Sequence, residues 1–266
     1  MAPSGVISIT TDFGHRGPFV GVMKGVIYSR FPAASIVDLG HEIPAHWPPE
    51  AGFWLSRSYR YFPRGSVHLA IVDPGVGTER HILVASHDDH IFIAPDNGLL
   101  DPILESATAG SVRRLDDACL QALGLSKPSN TFHGRDIFAP VAAEIAAGRL
   151  AVTQTGAAVE EWTPGWIEPP ESRSDGRICG VIITIDSFGN LISNIDEALV
   201  AGMNRPVATL GGKTFVMRET YGRASPGDYM ALINSFGVLE IARAEQSAAD
   251  GLGIGRGAPL VVADGG

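Results

Sequence analysis

An α/β N-terminal domain with a mostly parallel sheet flanked by helices, followed by a smaller all-β, barrel-like C-terminal domain, is the fold class this sequence predicts. Three observations predict it. Over roughly the first 160 residues, short β-branched runs alternate with amphipathic stretches, the pattern of a parallel sheet covered by helices. After a segment at 162–176 rich in Pro, Glu and Gly, short strand-like runs punctuated by turn residues take over, and helical periodicity becomes scarce. The 266 residues are 45% hydrophobic and 18% charged, enough for one large or two unequal domains and far from a disordered composition. The predicted partition is 1–165, a linker at 166–176, and 177–266.

The elements follow in order. Val6–Thr10 reads as a strand running through Thr11-Asp12-Phe13-Gly14 into a helix whose apolar residues Phe19, Met23, Val26 and Ile27 recur at helical spacing. Gly21 and Gly25 on that helix predict close packing against the sheet. Ile36–Leu39 is the next strand, and Pro48-Pro49 opens a helix with an apolar face from Ala51 to Phe62. Val67–Val72 ends at Asp73, and His81–Ser86 with Ile91–Ala94 form a hairpin whose His87-Asp88-Asp89-His90 turn faces solvent. A helix from Asp136 to Ala147 begins directly after His133-Gly134-Arg135. In the C-terminal part, strands are predicted at 181–185, 207–210, 214–217, 229–233, 238–241 and 260–262.

Composition also excludes function classes. The net charge of −9 lacks the basic stripe of a phosphate-backbone binder, so nucleic acid is not an expected partner. Cys119 and Cys179 show neither CxxC spacing nor a disulfide framework, which fits a reducing, cytoplasmic setting. No run reaches the roughly 18 apolar residues of a membrane span, and a signal-peptide layout is missing, so no membrane partner is expected.

Polar clusters fall where the N-terminal strands end: Asp12, His41 with Glu42, Asp73, Asp96 with Asn97, and His133 with Arg135 and Asp136. Carboxyl ends of strands line the ligand crevice in open α/β sheets, which gives their recurrence weight, although each alone fits an ordinary turn or cap. The glycine-rich segment Asp73–Arg80 lacks the lysine and hydroxyl of a P-loop, and Pro74 removes a backbone donor. Gly251–Gly257 precedes a strand and reads as a turn, not a dinucleotide fingerprint. No HExxH occurs and the histidines are scattered, which leaves a metal-dependent nucleotide or phosphoester hydrolase as an alternative.

Taken together, Thr10-Thr11-Asp12-Phe13-Gly14, Gly21-Val22-Met23-Lys24-Gly25, Asp73 through Arg80, Ala94-Pro95-Asp96-Asn97-Gly98, Thr131 through Asp136, Asp186-Ser187-Phe188-Gly189-Asn190 and Asn234-Ser235-Phe236-Gly237 resemble the S-adenosyl-L-methionine (SAM) hydroxide adenosyltransferases, SAM hydrolases related to fluorinase and chlorinase. The resemblance runs in order from about Val6 to Val262. It implies a homotrimer with SAM bound between subunits, adenosine and L-methionine as products, and no cofactor. By position it implies a water-activating triad of Asp73, Arg80 and His133, a ribose-binding carboxylate at Asp12 and an adenine-binding amide at Asn190. It also implies adenosine walls at Trp47, Phe132 and Phe188, with Asp186 beside them, and closure by Ser235 and Glu240 from the neighbouring subunit. Gly17 departs from the resemblance, where an aspartate would meet the methionine ammonium.

The implied chemistry suits these residue types. Attack on C5′ of a sulfonium expels a neutral thioether, so the catalyst needs only to orient and deprotonate one water. Arg80 favours Asp73 as an orienter over a lone base, so a coupled site is expected. Alternatives are a halide-dependent adenosyl transferase of the same fold and a non-catalytic SAM or adenosine sensor.

Overall fold

The computed structural model describes residues 2–265, and the chain divides into two compact units, Met1–Trp166 and Ile167–Gly266. The first is built on a six-stranded mixed sheet of β1 (Val6–Thr11), β2 (Ser35–Gly40), β3 (Val67–Ile71), β4 (Ile82–His87), β5 (His90–Pro95) and β6 (Val112–Arg114). Their order is β2-β1-β3-β5-β4-β6. β1 runs parallel to β2 and β3, and β3 parallel to β5, while β4 is antiparallel to both β5 and β6. Only three residues long, β6 is too short to show alternation in sequence. Helices α1 (Phe19–Arg30), α2 (Pro48–Ser58), α3 (Asp101–Leu104), α4 (Asp117–Ala122) and α5 (Ala139–Ala146) complete the unit.

Strand side chains alternate faces and so split the core in two. Ile7, Ile9, Leu69, Ile71, Ile91 and Ile93 pack with Met23 and Ile27 of α1 and Val141 and Ile145 of α5. Ala70, Val72, Phe92 and Ala94 pack on the other face with Leu55 of α2 and Ile103 and Leu104 of α3. A fully buried Ile or Leu contributes roughly 1.5–3 kcal/mol, against a net stability of roughly 5–15 kcal/mol for a domain. A one-residue slip would exchange the two faces, so the register, and with it the position of each strand end, is firmly held.

Several local expectations are corrected. Gly21 and Gly25 of α1 are exposed, and a Cβ built on either meets nothing within 4 Å, so they do not serve close packing on the sheet. The helix packs through Val20, Met23 and Ile27 instead. Phe19, read as part of the apolar helix face, is 48% exposed, since as the first helical residue it faces a cleft and not the core. The helix predicted from Asp136 begins earlier, with a π turn at Gly134–Phe138 that runs directly into α5. The β4–β5 turn faces solvent only at its tip: Asp88 and Asp89 both have positive φ (48° and 61°), the geometry that matches strand twist, and Asp88 accepts bonds from Tyr59 and Arg60, whereas His90 is buried.

The second unit is an antiparallel, nearly closed barrel-like sheet. Its strands are β7 (Glu171–Ser172), β8 (Ile178–Ile185), β9 (Leu191–Asp196), β10 (Pro206–Leu210), β11 (Lys213–Val216), β12 (Tyr229–Ile233), β13 (Val238–Arg243) and β14 (Pro259–Asp264). The order is β11-β10-β14-β8-β9-β13-β12, with β7 paired to β8, and a bridge from Met217 to Ala231 draws the ends together. Ile182, Leu191, Ile195, Leu210, Phe215, Leu239, Ile241, Leu260 and Val262 are among the residues filling it. The stretch read as a connector carries β7. β9 escapes a sequence reading because Ser193 is polar yet wholly buried, its hydroxyl donating to the Leu239 carbonyl at 2.6 Å. Short helices α6 (Glu197–Val200) and α7 (Ala248–Leu252) follow β9 and β13, and Gly251, read as part of a turn, belongs to α7. Cys119 and Cys179 are both free thiols. Among the described residues, no helix is long and apolar enough to cross a membrane.

On the α2 face of the first sheet, Ser8 Oγ lies 2.7 Å from His68 Nδ1, and His68 Nε2 lies 3.1 Å from His90 Nδ1. Burial, reinforced by the neighbouring His90, holds His68 down to about 3, and burial lowers His90 as well. Both rings therefore fold neutral. Above pH ~6.5 both states are neutral and the pair is silent; below it the unfolded chain takes up protons that the folded one refuses. Unfolding free energy should accordingly fall on acidification from pH 6.5 toward 4, by at most about 1.4 kcal/mol per pH unit for His68. Urea denaturation of the parent and His68→Gln checks this, and an identical pH slope in the two proteins would refute it.

Candidate active site

The fold brings two strand ends and one loop of the first unit together. β1 runs out into Asp12, β3 into Asp73 by way of Val72, and the loop before the π turn presents Phe132 and His133. Between them lies a cleft of about 290 Å³, at the lower edge of the range for small-ligand sites. Asp12, Phe13, Phe19, His46, Asp73, Phe132 and His133 are among its lining residues.

Arg80 ties the wall of this cleft together. Its Nε donates to Asp73 Oδ1 and Oδ2 at 3.1 and 2.9 Å, and Nη2 donates to Oδ2 at 2.5 Å. The same Nη2 lies 3.0 Å from His133 Nδ1, and the guanidinium covers the Phe138 ring at 5.4 Å. A guanidinium has no acceptor, so Nδ1 must accept, which puts the proton of the neutral ring on Nε2. Burial first, and the Arg80 charge second, lower the His133 pKa, outweighing Asp73, Asp136 and the Ser129 carbonyl.

Gly77 explains how the 73–80 loop reaches His133. With φ at 77°, it sits so close to the next loop that a Cβ would lie 2.1 Å from the Asn130 carbonyl oxygen. Any side chain there would force the 73–80 loop and the Asn130 loop apart. Gly134 is similarly confined, its virtual Cβ standing 3.1 Å from both Met23 Sδ and the Phe132 ring.

Asp12 Oδ2 accepts the His46 backbone N–H at 3.1 Å. Opposite, Phe13, Phe19 and Phe132 form a mutually contacting trio with ring centroids 5.4–6.1 Å apart. A Cβ at Gly17 would fall 2.8 Å from the Phe19 ring, so the room for a side chain at this position is already taken. Trp47 lies outside the cleft lining and packs edge-on against Trp166 at 6.0 Å. Asp96 and Asn97 do structural work, accepting from Thr163 N and donating to the Val72 carbonyl respectively. Arg135 and Asp136 form a clamp with Ser129.

The remaining predicted residues belong to the second unit. Asp186 Oδ1 accepts the Phe188 and Asn190 amides, both at 2.9 Å, and Oδ2 accepts Asn190 Nδ2 at 3.0 Å. This tight turn displays the Phe188 ring, 77% exposed. Ser235 stands exposed at the tip of the β12–β13 hairpin. Glu240 is buried behind that tip, accepting from the Tyr221 hydroxyl and from Asn234 Nδ2 at 3.0 Å. Burial raises its pKa in spite of these two hydrogen bonds, with Asp186 adding to the rise. Tyr221 carried no signal in sequence, since it lies outside every recognisable motif. Phe13 lies inside one, and Phe19 and His46 were legible only as a helix face and a loop.

Among the described residues, no three His, Cys, Asp or Glu side chains converge as a metal-binding group. An aromatic cleft backed by a coupled carboxylate, guanidinium and imidazole, at the carboxyl ends of an α/β sheet, defines an enzyme for a small substrate. Residues 7–156 match the SAM hydroxide adenosyltransferase N-terminal domain and residues 180–261 the corresponding C-terminal domain. The chain belongs to the SAM hydroxide adenosyltransferase family. It is similar to (R)-S-adenosyl-L-methionine hydrolases from Thermus thermophilus, 35% identical over 94% of this chain and 96% of that one, and from Salinispora tropica, 35% identical over the whole of both. The crystal structure of an uncharacterized conserved protein from Thermotoga maritima superposes with a TM-score of 0.86 at 30% identity, covering 97% of this chain and 99% of the other.

Because the Arg80 charge is one of the causes that lower His133, replacing it should raise the imidazole pKa toward its ordinary value. An NMR titration of His133 in parent and Arg80→Met should show an upward shift, and a downward or absent shift would break the proposed coupling.

Proposed function

We propose that the protein hydrolyses S-adenosyl-L-methionine to adenosine and L-methionine by in-line attack of water on C5′. The observation that carries this reading is the Asp73–Arg80–His133 chain in the wall of the cleft. The C5′–O bond forms as the C5′–S bond breaks, sulfur keeps the electron pair as a neutral thioether, and the water proton passes to the Asp73 carboxylate, whose oxygens keep free lone pairs, and on to solvent, while the Nε2–H of His133 orients the water. No oxyanion or phosphoryl charge develops, so neither a metal nor a cofactor has charge to stabilise. Asp12 takes the ribose hydroxyls, an assignment supported by its acceptor-only carboxylate at the cleft and its Oδ2 already anchored to His46. The trio of rings around Phe132 suits the sulfonium cation, which is attracted to aromatic faces. Asp186, Phe188 and Asn190 hold the adenine, supported by the rigid turn that displays the Phe188 ring, with Trp47, Ser235 and Glu240 completing the binding set. A cytoplasmic setting accompanies this reading, supported by two free thiols.

Purified protein incubated with SAM in halide-free buffer containing EDTA should release adenosine and L-methionine, with ¹⁸O from labelled water at the adenosine 5′-hydroxyl. His133→Ala should lower turnover about 10²–10⁴-fold while SAM affinity stays near the parental value. Dependence on halide would indicate an adenosyl halide as product, and restoration by metal after EDTA would indicate a metallohydrolase. Normal turnover in His133→Ala would remove this residue from the mechanism.

The proposal includes a homotrimer in which the C-terminal unit of a neighbouring subunit contributes to binding. Support comes from the outer side of α1, where Val22 and Tyr28 are exposed beside the bare surface of Gly21 and Gly25. Light scattering should give a mass near three times 28.1 kDa, and a monomeric mass would overturn the assembly.

A further inference from the structure

His41 stands out among the polar residues at the strand ends because it does not line this cleft and yet is 1% exposed. Its Nδ1 lies 2.9 Å from Thr11 Oγ1, itself fully buried, and its Nε2 lies 3.0 Å from Asp38 Oδ1. The approach to Asp38 is close but not aligned along the N–H direction. Asp38 is also paired with Lys24 Nζ at 2.6 Å.

The direction of each bond follows from donor counting. A bare ring nitrogen facing a carboxylate would be repelled, so Nε2 carries the proton of the neutral ring and Nδ1 accepts. Thr11 therefore spends its one hydroxyl proton on His41, which leaves its oxygen to accept the Phe13 N–H at 3.2 Å. The backbone carbonyl of His41 accepts the Gly14 N–H at 2.8 Å. Asp12 is thus flanked on one side by Thr11, which the imidazole holds, and on the other by Phe13 and Gly14, whose amides end on Thr11 and on His41.

We propose that His41 is a positioning residue, which with Thr11, buried beside it, and Asp38 at the surface forms a relay that fixes the Asp12 carboxylate in the cleft. This rests on the reading of Asp12 as the ribose ligand. The relay never touches substrate, so it acts on binding and not on the proton transfer. A carboxylate on a loop is useful to a diol only if both oxygens keep their directions, and the relay removes the freedom of the three residues that set them.

The test compares Thr11→Val, Thr11→Ser, His41→Gln, Asp12→Ala and the double variant Asp12→Ala/Thr11→Val. Adenosine and 2′-deoxyadenosine affinities are measured by calorimetry, and KM and kcat with SAM. Thr11→Val should weaken adenosine binding and raise KM about ten-fold with kcat within about two-fold, and should narrow the preference for adenosine over 2′-deoxyadenosine. Thr11→Ser should restore parental values, and the double variant should bind no worse than Asp12→Ala, because residues acting through one group are not additive. His41→Gln, unable to bridge Asp38 and Thr11 at once, should follow Thr11→Val and serves in its place if that variant does not fold. A lower melting temperature with parental affinity in both, or an additive double variant, would overturn the relay while leaving the Asp12 reading intact. Parental adenosine affinity in Asp12→Ala would overturn the Asp12 reading itself, and the relay with it.

Discussion

One guanidinium holding a carboxylate and an imidazole at the same time is the constraint on which the cleft depends. Arg80 reaches across from the loop after β3 to the turn before α5, and its bonds to Asp73 and His133 join two segments that are 53 residues apart. The guanidinium is rigid and always charged, so it fixes which imidazole nitrogen carries the proton as well as where the ring lies. Much of the surrounding architecture serves that reach. The buried β3 strand sets where Asp73 emerges, Gly77 lets the loop lie against Asn130, and Phe138 supplies a ring for the guanidinium to rest on. A lysine could provide the charge but not the fork that satisfies both partners.

The second unit reaches rigidity by other means. Its polar residues are bound to one another: Asp186 to the turn that carries Phe188 and Asn190, and Glu240 to Tyr221 and Asn234. The Asp186 turn carries an internal carboxylate that takes up the amides its own curvature would leave unpaired, and Glu240 of β13 does the same for side chains of the hairpin tip and of Tyr221. An exposed aromatic on such a turn keeps its orientation without a ligand, so little ordering entropy remains to be lost when something lands on it.

Much of the fold was legible because strands buried on one or two faces leave strong patterns. The alternation of Val67–Ile71 and Ile91–Ala94 between two cores, and the Pro48-Pro49 start of α2, are visible in the chain itself. The elements that escaped are those in which tertiary context overrides pattern. β6 has three residues, β9 buries a serine whose hydroxyl is satisfied by the Leu239 carbonyl and the Ile195 amide, and Phe19 reads as part of an apolar helix face until the helix start leaves it half-exposed. Within the cleft, Asp12 and Asp73 were legible as polar residues at strand ends, whereas His133, read the same way, stands in the loop that opens the π turn. The link through Arg80 came only with the family resemblance, since nothing in spacing says that Nη2 serves two partners. Gly21 and Gly25 show the converse: small residues at helical spacing are as compatible with an outward face as with a packed one.

The π turn at Gly134–Phe138 bears on how this chain can vary. A π turn is an α-helix holding one residue more than its regular course requires. Each helical residue turns the chain by about 100°, so losing one residue here would re-form an ordinary helix and swing everything before it around the axis. α5 is pinned in the core by Val141 and Ile145, so the rotation would fall on His133 and Phe132. Substitutions in this turn alter a side chain, whereas a single deletion would redirect the imidazole altogether. The length of this segment is therefore under tighter geometric restraint than its composition, an unusual position for a stretch of helix, where insertions and deletions are commonly absorbed by the adjoining loop.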